Sequence, residues 1–136
     1  MKRFTISTVF VILLALTACG GGDSSGNSST PDRPALAVER YLESKVTGDQ
    51  DGIRAGLCSE MEAVLERELR TFESVSNATI ENMSCAADDP AAETETIVRC
   101  TGRIVALYGT EETTFPLTSY RAVNEDGEWK WCGEGG

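Results

Sequence analysis

The sequence predicts an α+β domain in which amino-terminal helices pack on one side of an antiparallel β-sheet. Three observations lead there. Apolar residues in the stretch 34–72 recur at spacings of three and four, the period of a helix face. Beyond Phe72 they recur at spacings of two, the period of a strand with one wet face. The breaks between the later segments are short and carry turn chemistry, Asp88-Asp89-Pro90, Gly109-Thr110 and Asn124-Glu125-Asp126-Gly127, so neighbouring strands run antiparallel as a meander. Helices first and strands afterwards give a layered domain with the helices on one sheet face.

Taken in order, Val38, Tyr41, Leu42 and Val46 predict a first helix that ends where Gly48 can adopt a left-handed cap. Asp49 then caps a short second helix, with Ile53 and Leu57 four residues apart and Cys58 closing it. Ser59 followed by Glu62 reads as a capping box. It predicts a helix over residues 60–72 with Met61, Val64, Leu65, Leu69 and Phe72 inward. Glu60, Glu66, Arg67, Glu68 and Arg70 fall on its solvated face. Four strands are expected at 74–85, 94–108, 113–123 and 128–132. In the second, Val98, Cys100, Ile104 and Tyr108 share one face, while Arg99, Thr101 and Arg103 share the other, which reads as an exposed sheet surface before an anion site.

Ahead of this domain stands an address. Lys2 and Arg3 precede an apolar run over residues 9–16, about half the ~20 residues a transmembrane helix needs, so the segment reads as a secretion signal. The run ends in Leu16-Thr17-Ala18-Cys19, which resembles the bacterial lipoprotein box. That resemblance implies cleavage of a signal peptide over residues 1–18 and lipidation of Cys19 with palmitate-type acyl chains. The alternative is an ordinary signal peptide cut after Ala18. Lipidation places the protein outside the cytoplasm in the cell envelope, its partner being the membrane bilayer, which the acyl anchor enters while the domain stays outside. Inner and outer membranes are not distinguished. Residues 19–34 comprise the lipidated Cys19 and a Gly/Ser-rich tether, whose r.m.s. span is on the order of 20 Å. Residues 35–136 are left to fold. Three glycosylation sequons, at Asn27, Asn77 and Asn82, read as chance matches in a bacterial lipoprotein.

Charge and composition exclude several functions. The 136 residues carry 12 Lys and Arg against 22 Asp and Glu, a net charge of −10, which disfavours nucleic acid as a partner. There is no histidine, so Ser-His-Asp and Cys-His triads are excluded and no metal site is expected. With Cys19 lipidated, the remaining four of five cysteines form an even set, as in a disulfide framework. Three connectivities are open. A hairpin centred near Ala92 sets Cys85 opposite Cys100, leaving Cys58 to pair with Cys132 and tie the helical corner to the last strand. A redox or metal role is disfavoured because the cysteines are dispersed and no Cys-x-x-Cys is present.

The order of elements, the Val46-Thr47-Gly48-Asp49 turn and the Gly127-Glu128-Trp129-Lys130-Trp131 ending resemble the nuclear transport factor 2-like superfamily, over residues 34–132. The chain is similar in particular to small secreted bacterial lipoproteins of that fold; a cystatin-like sheet wrapped on one long helix is the competing architecture. The resemblance implies a cone, a curved sheet around helices, whose open end holds a ligand or an active site in some members. Members include isomerases, dehydratases and cyclases, and also binding modules and dimerisation domains, so fold alone does not select an activity.

No residue is assigned a catalytic role and no cofactor is expected. Most acids lie in loop runs, and capping explains Asp49. Tyr41, Tyr108, Tyr120 and Trp129 are the expected pocket residues, although Trp129 and Trp131 share a face and read first as core. Two hypotheses follow. The favoured one is a non-catalytic binding or interaction module for an unidentified protein or small molecule, with a homodimer through the sheet as one form of it. The alternative is an isomerase- or dehydratase-like enzyme using a carboxylate and a Tyr inside the cone. It needs a buried acid, and no acid is flanked by strand-period apolar residues on its own face.

Overall fold

The computed structural model describes residues 31–136; the signal peptide, Cys19, the Asn27 sequon and the tether up to residue 30 lie outside the described residues. Helix α1 (Arg33–Thr47) leads into α2 (Gln50–Gly56), a 3-10 turn (Ser59–Val64) and α3 (Leu65–Leu69). Strands β1 (Ser76–Ala87), β2 (Glu95–Tyr108), β3 (Glu111–Pro116), β4 (Ser119–Glu125) and β5 (Glu128–Glu134) follow. The fold is α+β, with a curved five-stranded antiparallel sheet in the order β1-β2-β4-β5 and β3 on β2.

Local chemistry starts and stops the first two helices where the sequence says. Asp32 accepts from the Ala35 N–H at 3.0 Å, and Gly48 closes α1 at φ 71°, a conformation glycine adopts without steric cost. Asp49 accepts from the Gly52 N–H at 3.0 Å and caps α2. Gly52 and Gly56 let α2 lie close to α1. A Cβ on Gly52 would meet the Ser44 side chain at 2.2 Å, and one on Gly56 would meet the Tyr41 ring at 3.0 Å.

The 60–72 helix is not continuous, and this corrects the sequence reading. A 3-10 turn precedes a five-residue α-helix, and no side chain caps the start. The expected capping box fails because Ser59 is engaged elsewhere: its N–H and its hydroxyl both donate to Glu125 Oε1, at 2.8 and 2.7 Å. Cys58 is also committed, donating its N–H to the Trp131 carbonyl beside a parallel bridge from Leu57 to Trp131. A start pinned to β5 leaves this segment less free to choose an ideal helical entry.

The expected third strand, 113–123, is two strands. β3 pairs with the second half of β2, from Arg103 to Tyr108, and β4 with the first half, from Glu95 to Arg99. The break lies opposite a bend in β2. Gly102 sits there at φ 104°, and a Cβ would come within 2.6 Å of the Glu81 and Asn82 carbonyls, so only glycine fits. β1 carries two register shifts, one at Asn82 opposite Gly102 and one at Asn77 near its start, and both asparagines have positive φ. These irregularities curl the sheet. In the concave side sit Val38, Tyr41, Leu42, Ile53, Val98, Ile104, Ala122 and Trp131, a single buried core.

Cys85 and Cys100 face each other across β1 and β2 and are bonded, with Cα atoms 4.1 Å apart. Cys58 and Cys132 are bonded across 5.2 Å, joining residues 74 apart in sequence.

Candidate functional site

The inner face of α1 presents Tyr41, Leu42 and Lys45 to the sheet, because positions three and four apart project from one side of a helix. From β5, Trp131 stacks on Tyr41, ring centroids 4.4 Å apart and planes 10° from parallel. The Lys45 ammonium lies 5.8 Å from the Tyr41 centroid and 5.5 Å from that of Trp131. From α3, Glu68 completes the cluster. Its Oε2 accepts from the Tyr41 hydroxyl at 3.0 Å and from Lys45 Nζ at 2.7 Å, and Arg67 approaches Oε1 at 3.4 Å.

Glu68 is only 5 % exposed, which corrects its expected place on a solvated face. Burial by itself would raise its pKa; the hydrogen bond and charge of Lys45, with the donors Tyr41 and Arg67, outweigh burial and hold the carboxyl below the ordinary 4.5. Burial first, then the Glu68 charge and the bond donated to it, push the Tyr41 hydroxyl well above its ordinary value. The cluster is an ionised, internally paired unit. Its signal was present in the sequence: Glu68 lies three residues after Leu65 and four before Phe72, inside the apolar stripe, and Lys45 lies four after Tyr41.

Beside the cluster the cone keeps a cavity of about 250 Å³, with Leu42, Lys45, Ile104, Leu117, Tyr120 and Trp131 in its wall. Tyr108 and Phe115, both exposed, meet edge to face at 6.3 Å in the same lining. One polar atom stands out. Trp131 Nε1 is buried and is the one buried side-chain donor or acceptor without a partner among the described residues. Leaving a donor in that condition costs about 1–3 kcal/mol.

Of the four expected pocket residues, Tyr108 and Tyr120 line the cone. Tyr41 and Trp129 instead line a second cleft, between α1, α2 and the β4–β5 turn. Both are buried, as is Trp131, so the tryptophans serve as core. Arg99 pairs with Asp88 at 2.7 Å and Arg103 with Glu81 at 2.6 Å across the strands, so neither is an unpartnered anion receptor. Among the described residues, no group of three or more His, Cys, Asp and Glu could hold a metal ion, and no helix is long and apolar enough to cross a membrane.

No protein-family model matches the chain, and no characterised protein matches its sequence. Solved structures do match its shape. A candidate dehydratase of the nuclear transport factor 2-like family from Streptomyces avermitilis is similar at TM-score 0.55 and 10 % identity, over 74 % of this chain and 93 % of that one. A nuclear transport factor 2-like protein of unknown function in nutrient uptake from Rhodospirillum rubrum is similar at TM-score 0.51 and 19 % identity, over 73 % and 93 %. A SEC-C motif-containing protein of Rhodopseudomonas palustris is similar at TM-score 0.52 and 12 % identity, over 74 % and 76 %. At these identities the likeness establishes the fold, a nuclear transport factor 2-like cone, and carries no activity across.

Proposed function

We propose that this chain is an extracytoplasmic lipoprotein, anchored by acyl chains on Cys19, whose cone binds a small apolar molecule bearing one hydrogen-bond acceptor and leaves it chemically unchanged. The observation that carries the binding role is the unpartnered Trp131 indole N–H in a residue that lines an apolar cavity beside Lys45. The indole nitrogen itself is out of contact with solvent, so an oxygen acceptor reaches it by displacing the side chains over it and then recovers the cost of that donor. The lipoprotein box and the disulfides support the compartment.

The alternative, an isomerase- or dehydratase-like enzyme, has one observation in its favour: Glu68 and Tyr41 are bonded inside the cone. Their state argues against it. A carboxylate held below its ordinary range and already accepting from Tyr41 and Lys45 is a weak base, and Tyr41 holds its proton tightly.

The test of binding uses cyclohexanone as the probe and cyclohexane as its acceptor-free control, read at the Trp131 indole N–H by NMR on the full chain. The indole resonance should move with cyclohexanone alone. An indole signal indifferent to both, or moved equally by both, would overturn the cone site. For the anchor, globomycin or Cys19→Ser should block maturation, and the Cys19→Ser protein should no longer fractionate with salt-washed membranes; its retention there would refute the anchor.

A further inference from the structure

We infer that the cleft between α1, α2 and the β4–β5 turn is a second binding site, built for a small organic anion with an apolar body. The cleft has a volume of about 390 Å³ and is separate from the cone cavity; Tyr41 alone belongs both to its lining and to the cone cluster.

The charge distribution singles this place out. The whole chain is strongly acidic, yet three cations, Arg33, Arg40 and Lys130, line this cleft against one carboxylate, Glu128. Of the ten Lys and Arg side chains among the described residues, seven lie within ion-pair distance of a carboxylate. The other three are Arg33, Arg40 and Arg54, and two of these are in the cleft. Arg33 donates to the Gly127 carbonyl at 2.7 Å and Arg40 to the Leu36 carbonyl at 3.2 Å. Backbone oxygens hold both guanidinium groups and neither lies within ion-pair distance of a carboxylate, although the charge of Arg40 is felt at Glu128. Glu128 is bonded to Lys130 at 3.0 Å, so its charge is already matched.

The apolar part of the site comes from the same helix turn pattern. Arg33, Leu36, Ala37 and Arg40 fall at i, i+3, i+4 and i+7, one stripe of α1. Leu36, 48 % exposed, is left uncovered between the two arginines, and Trp129 supplies an aromatic wall from β5. Arginines flanking an exposed leucine match a molecule with a carboxylate on a hydrocarbon or aromatic body, since a guanidinium pairs with a carboxylate through two parallel N–H bonds. A bare inorganic anion would leave Leu36 and Trp129 unused.

The experiment is equilibrium dialysis of the full chain with 1-naphthoate, its neutral isostere 1-naphthamide, and inorganic phosphate as competitor. Naphthoate should bind about tenfold or more tightly than naphthamide, the effect of one charge-assisted pair. Phosphate at equal concentration should not displace it. Arg33→Gln/Arg40→Gln should reduce naphthoate binding to the naphthamide level, and Arg40→Gln alone, which keeps the Arg33–Gly127 contact, should weaken it by part of that. Tyr108→Ala, at an exposed residue of the cone lining that does not touch this cleft, should leave naphthoate binding intact, separating the cleft from the cone. Equal binding of acid and amide, unchanged binding in the double variant, displacement by phosphate, or loss with Tyr108→Ala would each overturn the assignment.

Discussion

The β1 and β5 edges of the sheet are closed by different means. At β1, a strand whose outer side would be open, side chains of the long α1 helix supply acceptors: Glu39 takes the Cys85 N–H at 3.0 Å and Asp32 the Ala87 N–H at 2.9 Å. At β5 the closing element is the helical corner, where Leu57 bridges Trp131, Cys58 donates to the Trp131 carbonyl and a disulfide joins Cys58 to Cys132. Both devices deny a pairing surface to other chains. They differ because the covering elements differ. α1 is fifteen residues with caps at both ends and holds itself; the corner is a 3-10 turn and five helical residues, too short to be stable alone, and is held by a covalent bond.

The strongest way to break this contrast is to remove each disulfide in turn. Cys58→Ser/Cys132→Ser opens a loop of 74 residues and should cost about 4 kcal/mol in the chain-entropy model, against about 3 kcal/mol for Cys85→Ser/Cys100→Ser, which opens one of 15. Urea unfolding gives the two values. The contrast should be sharper in native-state hydrogen exchange: the first pair loosens the 58–72 corner selectively, whereas β1 and β2 stay paired without their bond. Undiminished protection of the 58–72 corner without its bond would show that the corner holds itself after all.

Next in size is the polar tie between corner and helix. Glu68→Ala leaves Lys45 half-enclosed without its carboxylate and should destabilise by about 3 kcal/mol, the lower end for a broken buried pair because Lys45 keeps some exposure. Lys45→Met/Glu68→Leu, which removes both charges, should recover most of that loss. Its pH dependence has a definite sign. Because the folded-state pKa of Glu68 is lowered, its stabilisation is fully present above the unfolded value near 4.5 and fades as pH falls through the folded value. Urea midpoints should therefore drop below pH 4.5 in the parent and drop less in Glu68→Gln. A parallel decline in both would remove Glu68 from the acid response.

These ties also mark where sequence reading succeeds and where it stops. Gly48, Asp49 and the Cys85–Cys100 register follow from chemistry within a few residues or from a single hairpin, and local rules suffice for them. The capping box at Ser59 fails because Glu125, 66 residues away, takes both of its donors. The break at Pro116–Ser119 reflects the bend at Gly102 in the opposite strand, which no periodicity within 113–123 records. The charge of Glu68 predicts a solvated face, but its position is an inward site of the stripe, and the donors Tyr41 and Lys45 on α1 make that burial tolerable. Spacing places Tyr41, Lys45 and Glu68 on inward helix faces, but their meeting with Trp131, from α1, α3 and β5, is set by tertiary packing that local spacing does not encode.

The smallest effect tests the other edge. Asp32 does two jobs, one oxygen accepting from Ala35 at the start of α1 and the other from Ala87 on β1. Asp32→Ala should cost about 1–2 kcal/mol, a cap and a strand-edge bond together. Asp32→Ser separates the jobs, since a hydroxyl can cap the helix but offers no second carboxylate oxygen to β1. It should recover the cap's share, leaving a loss of about 0.5–1 kcal/mol for the strand-edge bond, while the Ala87 amide still exchanges faster than in the parent. Cys85, held by Glu39, should keep its protection in both variants. Loss of protection at Cys85 as well would mean that the edge is covered as one cooperative strip, with the helix docking as a whole in place of two independent acceptors. The contrast with β5 would then be one of bond type alone, since both edges would open and close as units.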